Sequence, residues 1–104
     1  MSNKGDSNKR THTCGQARLG DVDETIILNG WIESIRDHGG LTFLDLRDRY
    51  GLTQVVLDPE LGYGELLDQL RVEFVLSVTG TVRARPEGMR NSRLDTGDIE
   101  LAAT

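Results

Sequence analysis

A few side chains in this sequence could hold an unpaired base. They are an aromatic ring at Phe43, a carboxamide at Gln54, and guanidinium groups at Arg36, Arg83 and Arg85. An exposed ring on a sheet offers stacking, worth ~1–3 kcal/mol per base. A carboxamide carries both an acceptor and donors, which suits a base edge. Guanidinium is planar and forked, so it can clamp a phosphate or stack on a base. Arg83 and Arg85 are two residues apart, so on a strand both project from one face. His38 stands beside Gly39-Gly40 and close to Arg36. Each residue also has a plainer reading. Phe43 can cover a small cluster with Leu41 and Val56, and Gln54 can be an ordinary surface amide. Arg83 and Arg85 can be solvated strand charges or guard a sheet edge. His38 can be a turn residue, and Arg47 and Arg49 can pair with Asp45 and Asp48 across a turn. Trp31 can pack on the amino-terminal segment or on a neighbouring domain.

Catalytic groupings do not stand out. The histidines lie at 12 and 38 with a single cysteine, Cys14, so no metal-binding spacing of a familiar kind occurs. Gly39-Gly40 lacks the spacing and the lysine of a phosphate-cradling loop. The segment is therefore expected to bind rather than catalyse, with no cofactor or metal of its own. One cysteine makes a disulfide framework impossible and fits a reducing compartment. No apolar run approaches the ~18 residues of a membrane span. The first residues have no hydrophobic segment behind their charges, unlike a secretory signal. Cytoplasmic location is the expectation.

The elements that must position these side chains follow from hydrophobic periodicity. Residues 1–11 are polar and aperiodic and read as a flexible tail, leaving 12–104 as one domain. Alternation over 25–36 gives a first strand with Ile26, Leu28 and Ile32 on one face, and Gly30 in its middle suggests a bend or bulge. Residues 37–40 make a turn. A second strand over 41–47 sets Thr42, Leu44 and Leu46 opposite Leu41, Phe43, Asp45 and Arg47. After a turn at 48–51, in which Gly51 is available for positive φ, a third strand over 52–57 sets Thr53, Val55 and Leu57 opposite Leu52, Gln54 and Val56. A short helix over 64–71 follows. A long strand over 74–85 turns Phe74, Leu76, Val78, Val82 and Ala84 inward and Thr79, Thr81, Arg83 and Arg85 outward, with a further bend at Gly80. A last strand spans 98–103. Three meandering strands, a helix and two more strands in about 100 residues describe an all-β, five-stranded OB-fold barrel with its helix between strands 3 and 4. That fold binds ligands on its β2–β3 face and in two of its loops. Phe43, Gln54 and Val56 should lie on that outer face if Leu44, Leu46, Val55 and Leu57 fill the barrel.

The net charge of -5 opposes phosphate binding, but the charge is uneven. Residues 58–73 carry Asp58, Glu60, Glu65, Asp68 and Glu73 against Arg71. Residues 83–93 carry Arg83, Arg85, Arg90 and Arg93 against Glu87. An acidic chain with a local basic stretch fits a selective binder or one part of a larger protein better than a general coat for nucleic acid.

Several blocks, in order, resemble the amino-terminal anticodon-binding domain of bacterial-type aspartyl-tRNA synthetases. They are THTCG at 11–15, LNGWI at 28–32, RDHGG at 36–40, FLDLRDR at 43–49, GLTQVV at 51–56, VTGTVRARPEG at 78–88 and TGDIE at 96–100. The resemblance covers 11–104. It implies an OB domain that receives the tRNA anticodon loop, joined to a downstream catalytic domain that attaches aspartate with ATP and Mg in a homodimeric aspartate–tRNA ligase. It further implies that Phe43 stacks on a base and Gln54 reads one. Arg36, Arg83 and Arg85 would touch bases or phosphates, and Asn91 would add a polar contact. His38 is similar to members that accept tRNA-Asn as well as tRNA-Asp. Ser34-Ile35-Arg36 stands where the family often has three basic residues, and Val56 where a second aromatic is common. A free-standing single-strand binder and a protein-interaction barrel are the alternative readings.

Overall fold

A computed structural model describes residues 9–61 and 66–104. The elements are β1 (Thr25–His38), β2 (Leu41–Asp48), β3 (Gly51–Leu57), a helical turn α1 (Leu66–Gln69), β4 (Val75–Ala84) and β5 (Ile99–Ala103). The strands close into a barrel in the order β1-β2-β3-β5-β4, which is the expected OB architecture. Of the segment read as a tail, residues 1–8 lie outside the described residues. Thr11 is hydrogen-bonded to the barrel, its backbone N–H donating to the Ile27 carbonyl at 2.9 Å. The expected helix over 64–71 is described from Leu66, and residues 64 and 65 lie outside the described residues.

β1 serves two neighbours. Its first half pairs with β4 from Thr25↔Thr81 to Trp31↔Val75, and its second half pairs with β2 from Trp31↔Arg47 to His38↔Leu41. A bulge between Ile32 and Ser34 follows this change of partner, where extra twist bends the strand round the corner. Gly30 and Gly80, read from sequence as bends, serve another purpose. A Cβ on Gly30 would stand 2.5 Å from the Arg47 carbonyl oxygen, and one on Gly80 would stand 2.5 Å from that of Ala102. Both glycines let neighbouring backbones approach closely. Gly51 likewise takes no positive φ; a Cβ there would stand 2.6 Å from the Gly15 Cα, so close approach explains this glycine too. Positive φ is found instead at Gly39 (61°) and Gly40 (82°), a two-residue connection between β1 and β2 of the kind glycine permits.

Period-two alternation predicts the core well. Ile26, Leu28, Ile32, Leu44, Leu46, Val55 and Val82 are fully buried, joined by Ile99 and Leu101. Each such side chain contributes ~1.5–3 kcal/mol of burial free energy. Two inward assignments fail. Phe74 is 46% exposed, since β4 begins only at Val75 and Glu73, at φ 75°, turns the chain immediately before it. Ala84, the last residue of β4, is exposed too. The outer face of β3 departs in the other direction, with Leu52, Gln54 and Val56 all buried. At Leu52 the β4–β5 loop adjoins it, the Thr96 hydroxyl donating to the Leu52 carbonyl, while Val56 lies beside Leu41, Leu61 and Ala102.

One end of the barrel is plugged by residues 11–17. The Cys14 amide donates to Asp48 Oδ2 at 2.9 Å, while the Tyr50 and Gly51 amides donate to Asp48 Oδ1 at 2.8 and 3.1 Å. The Thr53 hydroxyl donates to the Cys14 carbonyl at 2.6 Å. Burial, and then the neighbouring Asp48 carboxylate, push the Cys14 thiol up to about 12. It is a packing residue, not a nucleophile.

Gly80→Ala should cost ~1–3 kcal/mol, because its methyl meets a backbone carbonyl that cannot withdraw. Gly20→Ala, where a Cβ meets nothing within 4 Å, should stay within about 0.5 kcal/mol of the parent. Urea midpoints of the two variants check this, and equal losses would contradict it.

Candidate nucleic-acid interface

Register decides which side chains share the outer face. Arg36 pairs with Phe43 across β1–β2, Phe43 with Val56 and Asp45 with Gln54 across β2–β3, and Arg83 with Glu100 across β4–β5. An open cleft of about 370 Å³ results, lined by Arg36, Asp37, His38, Phe43, Gln54 and Met89. Four sequence-predicted residues, Arg36, His38, Phe43 and Gln54, therefore meet in one place. Phe43 is half-buried and His38 is exposed. Phe43 and Met89 supply apolar surface, and the other side chains supply polar atoms.

A chain of polar contacts underlies the cleft. Ser34 Oγ donates to Asp45 Oδ2 at 2.5 Å, and Arg36 grips both Asp45 oxygens at 2.5 and 3.2 Å. Arg36 also donates to Gln54 Oε1 at 3.1 Å. Gln54 Nε2 donates to Glu100 Oε1 at 2.9 Å, and Arg83 Nε donates to Glu100 Oε2 at 2.7 Å. Burial by itself would raise the Asp45 pKa. Hydrogen bonds from Arg36 and Ser34 outweigh it and hold that carboxyl below its usual range, while the same bond raises Arg36. Gln54 was placed on a wet exterior from strand parity, yet it is only 7% exposed. Its parity is outward, but Arg36 and Glu100 cover it. One amide hydrogen and one oxygen lone pair remain for a ligand.

The arginines of β4 and the residue after it divide. The Arg83 side chain is 47% exposed, with its Nε held by Glu100. Arg85, expected outward, is 6% exposed. β4 ends at Ala84, and the Arg85 Nε folds back to donate to the Ile99 carbonyl at 2.8 Å, with a long 3.5 Å contact from NH1 to the Met89 carbonyl. Burial lowers its pKa, opposed by Glu100 and Asp45. Arg85 thus positions the β4–β5 loop instead of meeting solvent. Asn91 is exposed and does not line the cleft; its Oδ1 accepts from the Arg93 amide at 3.0 Å. Trp31, on the far stretch of β1, is 38% exposed. The expected Arg47–Asp45 and Arg49–Asp48 pairs are replaced. Arg47 pairs with Glu33, and the Asp48 carboxylate is occupied by backbone amides. His12, Asp21 and Glu24 bring ligand atoms within 4.8 Å of one another. His12 is already bonded to Thr11, and Asp21 to the Arg18 amide.

Three contributors escaped sequence reasoning, of which Asp37 reads from sequence only as part of a turn. Glu100 had a readable signal, an acidic residue between the inward Ile99 and Leu101. Met89 had none, because it reaches the cleft only through the fold of the β4–β5 loop.

Residues 26–104 match the family model described as OB-fold nucleic acid binding domain, of the tRNA anti-codon type. The chain is 55% identical over 95 residues to an "Aspartate--tRNA(Asp/Asn) ligase" of Rhodopseudomonas palustris and 53% identical over 92 residues to one of Bradyrhizobium diazoefficiens. These alignments take in 91% and 88% of the chain but 16% of each relative. Among solved structures, the asparaginyl-tRNA synthetase of Entamoeba histolytica superposes with TM-score 0.68 at 26% identity, over 89% of this chain and 22% of that one. The synthetase of the same name from Pyrococcus horikoshii gives TM-score 0.74 at 23% identity over 88% and 20%, a likeness of fold. No helix among the described residues is long and apolar enough to cross a membrane.

Asp45 makes stability depend on pH on the acid side. Its folded pKa is depressed, so its contribution is present above the ordinary carboxylate range and is lost as pH falls through the folded value. Asp45→Asn should lower stability by about 1 kcal/mol at neutral pH, the modest figure reflecting a half-exposed pair. It should also flatten the decline in melting temperature on acidification. A variant that melts with the parent's full acid dependence would contradict this.

Proposed function

The chain belongs to the OB-fold nucleic acid binding family whose model it matches, and on that premise we propose that it receives the anticodon loop of a tRNA as one domain of an aspartate–tRNA ligase. The observation that carries this reading is the cleft on the β2–β3 face, where Phe43, Gln54, Arg36 and His38 converge. On this reading an unpaired base lies against the Phe43 ring and Met89, with its edge toward the remaining donor and acceptor of Gln54. Single-stranded RNA is read in this way, by stacking and by edge contacts to unpaired bases. Arg36, its terminal N–H groups engaged by Asp45, Ser34 and Gln54, forms a fixed wall of the cleft. The free N–H groups of Arg83 lie on the same outer surface as Glu100 and can meet phosphate. Arg85 and Asn91 act one step back, by shaping the β4–β5 loop.

The names of the relatives support aspartate as the amino acid and both tRNA-Asp and tRNA-Asn as acceptors, with His38 at the cleft rim as the residue facing the choice. On this reading, use of ATP and Mg to activate the amino acid belongs to the much greater length those ligases have beyond this domain. On the same reading, a homodimer contact would lie there too.

An anticodon stem-loop from tRNA-Asp or tRNA-Asn should bind this chain more tightly than a stem-loop with a scrambled anticodon, as read by fluorescence anisotropy. Equal affinity for all three would point to a general single-strand binder, and no binding to a protein-interaction barrel. Phe43→Ala should weaken the cognate complex by ~1–3 kcal/mol if the ring stacks on a base. A negligible change would reduce Phe43 to a packing residue.

A further inference from the structure

The outer face of β2 does not stop at the cleft. By strand parity Phe43, Asp45 and Arg47 follow one another along it, and Arg47 opens on a second hollow of about 180 Å³ at the opposite end of the β2–β3 pair. Arg47, Tyr50, Leu52, Arg93 and Asp95 are among its walls. Arg10 and Arg49 place their guanidinium carbons 5.4 and 5.7 Å from the centre of the Tyr50 ring, a separation at which the ring holds a cation by its quadrupole. Arg18 adjoins through a 4.0 Å approach to Asp95. Five arginines therefore gather at this end of a chain whose net charge is -5.

The nearby acids offset only part of this charge. Glu33 is taken by Arg47, and Asp95, 89% exposed, approaches Arg18 at 4.0 Å. The Asp48 carboxylate accepts three backbone amides. Among the described residues, the Arg10, Arg49 and Arg93 guanidinium groups form no ion pair. The two hollows are joined in two ways. Along β3, Gln54 and Gly51 are three residues apart, roughly 10 Å at strand rise. The β4–β5 loop, meanwhile, gives Met89 to the first hollow and Arg93 to the second.

Resting on the anticodon-loop reading, we propose that the arginines around Tyr50 form a separate phosphate-binding track. It would hold the sugar–phosphate backbone of the paired stem while the loop bases occupy the cleft. Planar forked donors arrayed beside an aromatic ring suit successive phosphate oxygens. The continuity of this surface with the cleft favours the same RNA molecule as its occupant over an acidic protein.

The test compares the loop as a short single strand with the same loop closed by a stem, titrated into the 104-residue chain at several salt concentrations. The variant is Arg49→Gln with Arg93→Gln, with folding verified by circular dichroism and melting. Two lost phosphate contacts should reduce the slope of log affinity against log salt by about 1.5–2 on the stem-loop. Affinity for the single strand should stay within about twofold. Phe43→Ala should weaken both RNAs and leave the slope unchanged. A parental slope for the double variant on the stem-loop would overturn the track while leaving the cleft reading intact. Equal losses on both RNAs would overturn it too, by making the arginines part of the cleft. Failure of the parent chain to bind either RNA would sink the underlying reading and the track together.

Discussion

The barrel depends on one seam. β3 and β5 run parallel, and their register consists of Val55↔Leu101 and Val56↔Ala102 alone. Backbone bonding there is the shortest in the sheet, so side chains reinforce the closure. Gln54 reaches Glu100, the Thr96 hydroxyl reaches Leu52, and Arg85 reaches the Ile99 carbonyl. All of these groups are buried, where an unsatisfied polar atom costs more than a satisfied one returns. The seam is consequently an all-or-none arrangement, and it lies directly beneath the cleft. The amide best placed to meet a ligand is the same amide that ties the last strand to the third.

Charge distribution follows from this geometry. The acidic residues that make the chain anionic overall lie largely between β3 and β4 and on the segment before β1. Of those near the outer β2–β3 face, Asp45 is held by Arg36 and Ser34 and Glu100 by Gln54 and Arg83, whereas Asp37 lines the cleft and Asp48 keeps its charge among backbone amides. Net charge reports the whole surface, whereas an anion approaching within a Debye length of ~8–10 Å responds to the local balance. An acidic protein can therefore present a face that attracts phosphate.

Strand order, barrel closure and most of the core were legible in the sequence, because a pleated strand with one wet face writes its burial as strict alternation. Ile26, Leu28 and Ile32 on β1, and Leu44 and Leu46 on β2, show this directly. Parity stops being informative where a strand is covered on both faces. Gln54, Val56 and Leu52 have outward parity, yet little solvent reaches them: Arg36 and Glu100 cover Gln54, Val56 sits beside Leu41, Leu61 and Ala102, and the aperiodic β4–β5 loop meets Leu52. Arg85 and Phe74 failed for a related reason. Phe74 stands just before the first and Arg85 just after the last regular residue of β4, where the chain is free to turn and alternation no longer governs direction. Met89 reaches the cleft by long-range loop closure, which leaves no mark on local spacing.

The connection between β1 and β2 is two glycines long, and His38 is already paired with Leu41 on either side of it. The rim of the cleft is thus carried by regular sheet almost to its tip. A longer loop would have to be ordered when a partner arrives, with a conformational entropy loss of ~1–2 kcal/mol per residue fixed. Here that loss has already been met in folding, so the rim resembles a pre-formed mould more than a closing flap. Complexes made at this edge should form without a slow rearrangement step, their selectivity resting on shape and complementarity instead of on adaptive movement.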